Sequence, residues 1–376
     1  MSVPPSDAPR PARSTAGMLA WVWAGVIVYA SLFPFEGWRW PPGVAPGDLL
    51  RLPWPRYFIP FDIVSNLAGY APLGLLITLA GLRRGASWRR ALVPGLLAGA
   101  LLSGGLELIQ HLLPGRVPSS LDWLLNAAGA LLGAVLAGVA ARGGGLRAWD
   151  RWRNRWVLRG HGGALALLAL WPVALVYPPP SPFGLGRIGP ALQRGMVWAL
   201  EDVPWARPVL DALTTPMPAA LAWPGPVGAT VLCAGLLAPC LLACAASTPG
   251  RRRGVLLCGI VLAGVAASTL SSVINYGPAH PWAWAAPGDG HGLMLVIALL
   301  LPLAWLPSRL AGLAGLACLL VLVLAVHALP LDPYGALNEQ SWEQGRFIRF
   351  HGLTPWLAWL WPYGAMAWLS ARLARP

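Results

Sequence analysis

The chain has no lysine. All 27 basic residues are arginine, so Schiff-base chemistry and the phosphate-cradling lysine of P-loop enzymes have no candidate residue. Charge itself is scarce: charged residues make up 11% of the 376 positions, against roughly a quarter in an ordinary soluble domain, which excludes a water-soluble globule. The five cysteines, Cys233, Cys240, Cys244, Cys258 and Cys318, all fall inside apolar segments, without the spacing of a zinc site or a secreted disulfide framework. They read as packing residues, and no metal or cofactor is expected. The GxSxG elbow, the HExxH helix and the serine-glycine-histidine block of phosphatases are also missing, so no motif names a reaction.

What is present is apolar length. Runs of about 18 to 22 residues recur throughout, each able to cross a hydrocarbon layer about 30 Å thick at 1.5 Å of rise per residue. The expected fold is an all-α, polytopic transmembrane bundle of ten helices, at 16–34, 62–82, 91–113, 121–141, 161–177, 226–247, 254–275, 291–306, 308–330 and 354–372. The first follows Arg10 and Arg13 and reads as a retained signal-anchor helix. With a cytoplasmic N-terminus, 18 of the 27 arginines fall on the inner side, with only Asp7 and Asp150 of the fourteen acidic residues. The positive-inside rule then places both termini in the cytoplasm. The formal charge of +13 lies in short gaps between apolar runs, which is not the basic patch with exposed aromatics of a nucleic-acid binder.

The expected organisation is a tail at 1–15, a four-helix membrane domain at 16–141, a basic cytoplasmic loop at 142–160 and a six-helix region at 161–376 with outer loops at 178–225 and 331–353. The break at Leu306, Pro307 and Ser308 leaves open one re-entrant hairpin in place of two spans, which would flip the C-terminus. The proline-rich stretch from Pro178 to Pro224, with a short interfacial helix over Gln193 to Leu200, divides the ten spans into two five-helix halves. That is the geometry of inverted-repeat transporters.

A charged side chain near mid-bilayer costs about 2.5 to 3.5 kcal/mol on insertion scales, so Glu107 stands out. Gln110 and His111 share its helix face, and no helix-cap role explains it, because an acid near a helix C-terminus opposes the macrodipole. The turn from Pro114 to Asp122 makes the third and fourth helices an antiparallel pair and places Arg116 to pair with Glu107 or Asp122. In the fourth helix Asp122 and Asn126 lie four apart, and Gly129 and Gly133 continue a small-residue seam. In the second helix Asp62, Asn66 and Tyr70 recur every four residues. Asp122 and Asp62 each fit a helix cap as well as a site; Asn66, Asn126 and Gln110 fit interhelical hydrogen bonding; His111 fits an ordinary interfacial imidazole as well as a catalytic one. Two further features remain: a cluster over Asn338 to His351 with Glu339, Glu343, Arg346, Arg349, Trp342, Phe347 and Phe350, read as an interfacial helix or a lid, and a polar face of Ser268, Ser271, Ser272 and Asn275, read as packing glue.

Two segments, DIVSNLAGYAPLG from Asp62 to Gly74 and ELIQHLLPGRVPSSLDWLLNAAGALLG from Glu107 to Gly133, resemble the signature blocks of the VanZ-like family. The second is the more specific. The two blocks lie within residues 62–133 and, with the first helix, imply a VanZ-like domain over about residues 16–141, in a bacterial cytoplasmic-membrane protein of a family named for a member associated with teicoplanin resistance. It implies recurrent polar positions at Glu107, Gln110, Arg116, Asp122 and Asn126, with Asp62, Asn66 and Tyr70 beside them, and it names a domain without naming a reaction. The residues themselves suggest an outer-leaflet site for an envelope lipid or the headgroup of a lipid-linked precursor, with Arg116 on phosphate or carboxylate. Two other classes stay open: a membrane hydrolase or transferase with Glu107 or His111 as general base, and a secondary transporter coupled through Glu107.

Overall fold

The structure, a computed structural model, describes residues 15–33, 35–58, 60–158, 161–179, 181–215, 224–285, 289–328 and 353–374. Among these residues every regular element is helical: α1 (Thr15–Leu32), α2 (Pro60–Arg83), α3 (Trp88–Gln110), α4 (Ser120–Arg142), α5 (Gly145–Trp156), α6 (Gly162–Ala174), α7 (Gly189–Leu200), α8 (Arg207–Thr214), α9 (Pro224–Ala246), α10 (Arg251–Tyr276), α11 (Asp289–Trp305), α12 (Ser308–Ala328), α13 (Thr354–Leu373) and two short 3-10 turns. A helix lies on each of the ten expected apolar segments. Six, namely α2, α3, α4, α9, α10 and α12, are long and apolar enough to cross a membrane, and α1, α6 and α11 are shorter apolar helices.

Local sequence explains where the expectations slip. α6 stops at Ala174, short of the expected 177, because residues ahead of Pro178 and Pro179 are driven toward extended backbone. α5 is a helix where a basic loop was expected; its arginines lower its hydropathy while Leu146, Trp149 and Trp156 keep helical spacing. α7 begins four residues ahead of Gln193, with a proline in its first turn. The cluster from Asn338 to His351 lies outside the described residues.

The chain divides into two compact units, Met1–Arg151 and Trp152–Pro376. In the first, α2 packs on α1, α3 and α4, and the α2–α4 crossing is set by glycine. A Cβ on Gly74 would lie 1.9 Å from the Ala130 carbonyl oxygen, and one on Gly133 would lie 1.8 Å from that of Ala71. Backbone therefore meets backbone along the predicted seam. Trp23 of α1 donates its indole N–H to the Gly69 carbonyl at 2.8 Å.

In the second unit α9 is central, with α6, α10, α11, α12 and α13 packed around it. α11 and α12 are two separate helices joined at the Leu306–Ser308 break, each packed along α9. α6 belongs to this unit, its buried Trp171 meeting Gly264 of α10 and stacking on Phe183. Four apolar helices thus form the first unit, and α6 packs in the second. Arg253, 1% exposed, is fixed by donation to the Ser247 carbonyl and hydroxyl, the Leu306 carbonyl and the Ser308 hydroxyl, so the partial negative ends of α9 and α11 neutralise it. On the serine face of α10, Ser271 Oγ donates to the Val176 carbonyl at 2.9 Å, whereas the buried Ser268 Oγ has no partner.

Candidate functional site

The polar residues of the first unit gather where α3 turns into α4. Ser119 is the N-cap of α4, and its hydroxyl accepts the Asp122 backbone N–H at 3.3 Å. In an ordinary capping box the side chain three residues on would return the favour by accepting the cap residue's own N–H. Here Glu107 does so from the neighbouring helix, its Oε2 accepting the Ser119 N–H at 2.8 Å. Glu107 is 5% exposed, and its negative charge sits at the positive end of α4. The expectation that no cap role explains Glu107 is therefore corrected: it does not cap its own helix, but it completes the cap of the next one.

Arg116 also departs from expectation. Among the described residues the ion pairs are Arg51–Asp48 at 3.4 Å and Arg83–Asp150 at 4.0 Å, so Arg116 pairs with neither Glu107 nor Asp122. Its Nη2 instead donates to the carbonyls of Ala30 at 3.0 Å and Phe33 at 2.9 Å, while Gln110 donates to Ser31 at 3.1 Å. The physical reason is the end of α1, whose last carbonyls lack helical partners and abut this turn. Phe33 N–H reaches Tyr29, and Phe35 N–H reaches Leu32, so every carbonyl from Tyr29 to Phe33 is satisfied. Burial pushes the Arg116 guanidinium below its ordinary value, with the nearby charge of Glu107 opposing that shift. His111 terminates α3 and turns its Nδ1 to the Glu107 carbonyl at 3.2 Å.

Deeper in the unit, Asn66 of α2 lies beside the half-buried Asp122 carboxylate, and the buried Tyr70 lies beside Ser103. Asn126 donates its amide to the Ser103 hydroxyl at 2.9 Å, while its buried Oδ1 has no partner. Asp62 lies in the first turn of α2, where an acid suits the helix dipole. Ser103 is the member that sequence reading missed; it stands four residues before Glu107, on the same face, and that spacing was the available signal.

The structure thus joins Glu107, Asp122, Asn66, Tyr70 and Asn126 across α2, α3 and α4, and assigns Gln110 and Arg116 to the end of α1. Glu107 and Asp122 are near enough to repel each other, and the nearest donors of charge are already engaged. Acceptor capacity remains on the half-buried Asp122 carboxylate, while the unpartnered Asn126 Oδ1 is sealed inside the bundle. Such an acceptor suits a group that brings hydroxyl or ammonium protons.

Comparison with known proteins agrees with the motif. Residues 16–141, about a third of the chain, match the VanZ/LLP1 family model. No curated protein and no solved structure matches. The matched residues are the four apolar helices of the first unit and the turn that carries the polar cluster, so it is this part of the chain that is similar to the VanZ/LLP1 family.

Proposed function

We propose that this multi-pass membrane protein binds the headgroup of a cell-envelope lipid or lipid-linked precursor through its VanZ/LLP1 domain, at the outer leaflet of a bacterial cytoplasmic membrane. All ten apolar helices cross the membrane in this reading, with both termini cytoplasmic, which sets the α3–α4 turn at outer headgroup depth. The observation that carries it is the pair of carboxylates, Glu107 and Asp122, at one end of the bundle with no cation within ion-pair distance among the described residues. The buried, unpartnered Asn126 Oδ1 lies one helical turn below.

Because Arg116 is taken up by α1, the headgroup is recognised through its hydroxyl or amine protons, as a sugar or amino headgroup would be, and not through phosphate. The test is lipid binding by purified protein, comparing a glycosyl diacylglycerol with the same diacylglycerol lacking its sugar. Wild type prefers the glycosylated lipid, and Asp122→Asn loses that preference. Equal binding of the two lipids by wild type refutes the reading. The family resemblance extends the proposal to glycopeptide resistance, tested by teicoplanin tolerance of a host carrying wild type or Asp122→Asn.

Catalysis by Glu107 or His111 and transport through Glu107 have no observation of their own: Glu107 Oε2 accepts the Ser119 N–H, and His111 Nδ1 lies 3.2 Å from the Glu107 carbonyl.

A further inference from the structure

The opposite end of the first unit is strongly basic. Arg83 closes α2, Arg89 and Arg90 open α3, and Arg142 closes α4; all four are exposed, as is Arg84 in the intervening turn. α5 adds Arg147 and Arg151, also exposed. Against these seven arginines the described residues set one acid, Asp150, which contacts Arg83 at 4.0 Å.

Several features select a lipid surface over an acidic protein as the occupant. The arginines stand at the ends of three helices long and apolar enough to span a bilayer, so their side chains reach the headgroup layer. Tryptophans accompany them at that level: the Arg142 guanidinium lies 4.2 Å from the ring centroid of Trp88, and Trp149 of α5 is 45% exposed. Within α5, Leu146 and Trp149 fall on one face while Arg147 and Arg151, four apart, fall on another. That is the pattern of a helix lying in the membrane plane.

We propose that this end of the unit binds anionic phospholipid headgroups of the adjoining leaflet, with α5 lying on that leaflet and tied to the bundle through Arg83 and Asp150. The site is separate from the Glu107 cluster, and neither proposal depends on the other.

The test uses the full chain in phosphatidylcholine–phosphatidylglycerol vesicles, with spin-labelled lipids reporting the composition of the shell around the protein. An arginine near an anionic surface is worth about 1 kcal/mol, or about fivefold in relative affinity. Wild type is expected to hold phosphatidylglycerol over phosphatidylcholine by about fivefold or more, a preference that falls as salt is raised. The paired change Arg147→Gln and Arg151→Gln lowers it by at least about fivefold, whereas the corresponding lysine pair keeps it. Arg51→Gln, at the other end of the unit, leaves it unchanged. A shell of bulk composition overturns the proposal and leaves the basic end to an acidic protein. So does a wild-type preference indifferent to salt, a measurement that decides the matter even if the glutamine pair fails to fold.

Discussion

Replacing Arg116 tests whether the motif arginine serves the end of α1 or an ion pair. In Arg116→Ala the carbonyls of Ala30 and Phe33 lose their donor. Hydrogen bonds to a charged group contribute about 1.5 to 3 kcal/mol each; the guanidinium is half-buried and water reaches part of the site, so the lower value is used for both bonds. The last turn of α1 then loses about 3 kcal/mol of protection, and its amide hydrogens exchange about a hundredfold faster. Arg116→Lys, a point charge in place of a planar fork, retains one bond and about half the effect. Gln110→Ala removes one neutral bond to Ser31, worth about 1 kcal/mol or a fivefold change in exchange. Hydrogen exchange of peptides spanning the end of α1 and the start of α4 in detergent-solubilised protein reads all three. If Arg116→Ala loosens the start of α4 and leaves α1 protected, the guanidinium acts on Glu107 and the capping assignment is wrong.

The glycine seam gives a sharper steric test: Gly133→Ala puts a methyl where the Ala71 carbonyl stands, so α2 and α4 must part, lowering stability by about 3 kcal/mol in thermal unfolding. Gly25→Ala, with open space at its Cβ, leaves the transition in place. In the second unit, Arg253→Leu strands the Ser247 and Leu306 carbonyls and costs about 3 kcal/mol or more, read as loss of folded protein on size-exclusion chromatography. An unchanged profile would show that water already serves those carbonyls.

The helices were legible because apolar length is written in consecutive residues. The α2–α4 seam was legible because Gly129 and Gly133 share a face whatever they meet. Arg116 was misread for a definite reason. Side-chain spacing locates charges on one helix, but the groups it serves are backbone carbonyls of Ala30 and Phe33, which carry no sequence signal. Assigning Glu107 no cap role failed in the same way: periodicity excluded its own helix and said nothing of the helix beginning twelve residues later. The long proline-rich connection after α6 suggests a boundary there in sequence, but what α6 packs against is not written in its spacing: its contacts with Trp361 of α13, made through Leu167 and Trp171, join it to the second unit.

The divided capping box separates stability from recognition within one cluster. With Glu107 accepting the Ser119 N–H, the Asp122 side chain is released from the task its position would normally impose and meets Asn66 instead. Asp122→Asn gives up the other charge in the first turn of α4 and at the same time relieves its repulsion with Glu107, so it should shift unfolding by no more than about 0.5 kcal/mol, while abolishing preference for a glycosylated headgroup. Glu107→Gln keeps an acceptor for Ser119 but surrenders the charge at the start of α4, worth about 1 kcal/mol. Glu107→Ala also leaves a buried N–H unpaired, and adds about 1 to 3 kcal/mol to that loss. Stability should thus fall in the order wild type, Glu107→Gln, Glu107→Ala, with Asp122→Asn close to wild type. If Asp122→Asn proves the most damaging of the three, the cap is closed within α4 after all, and Glu107 becomes the carboxylate available to a ligand.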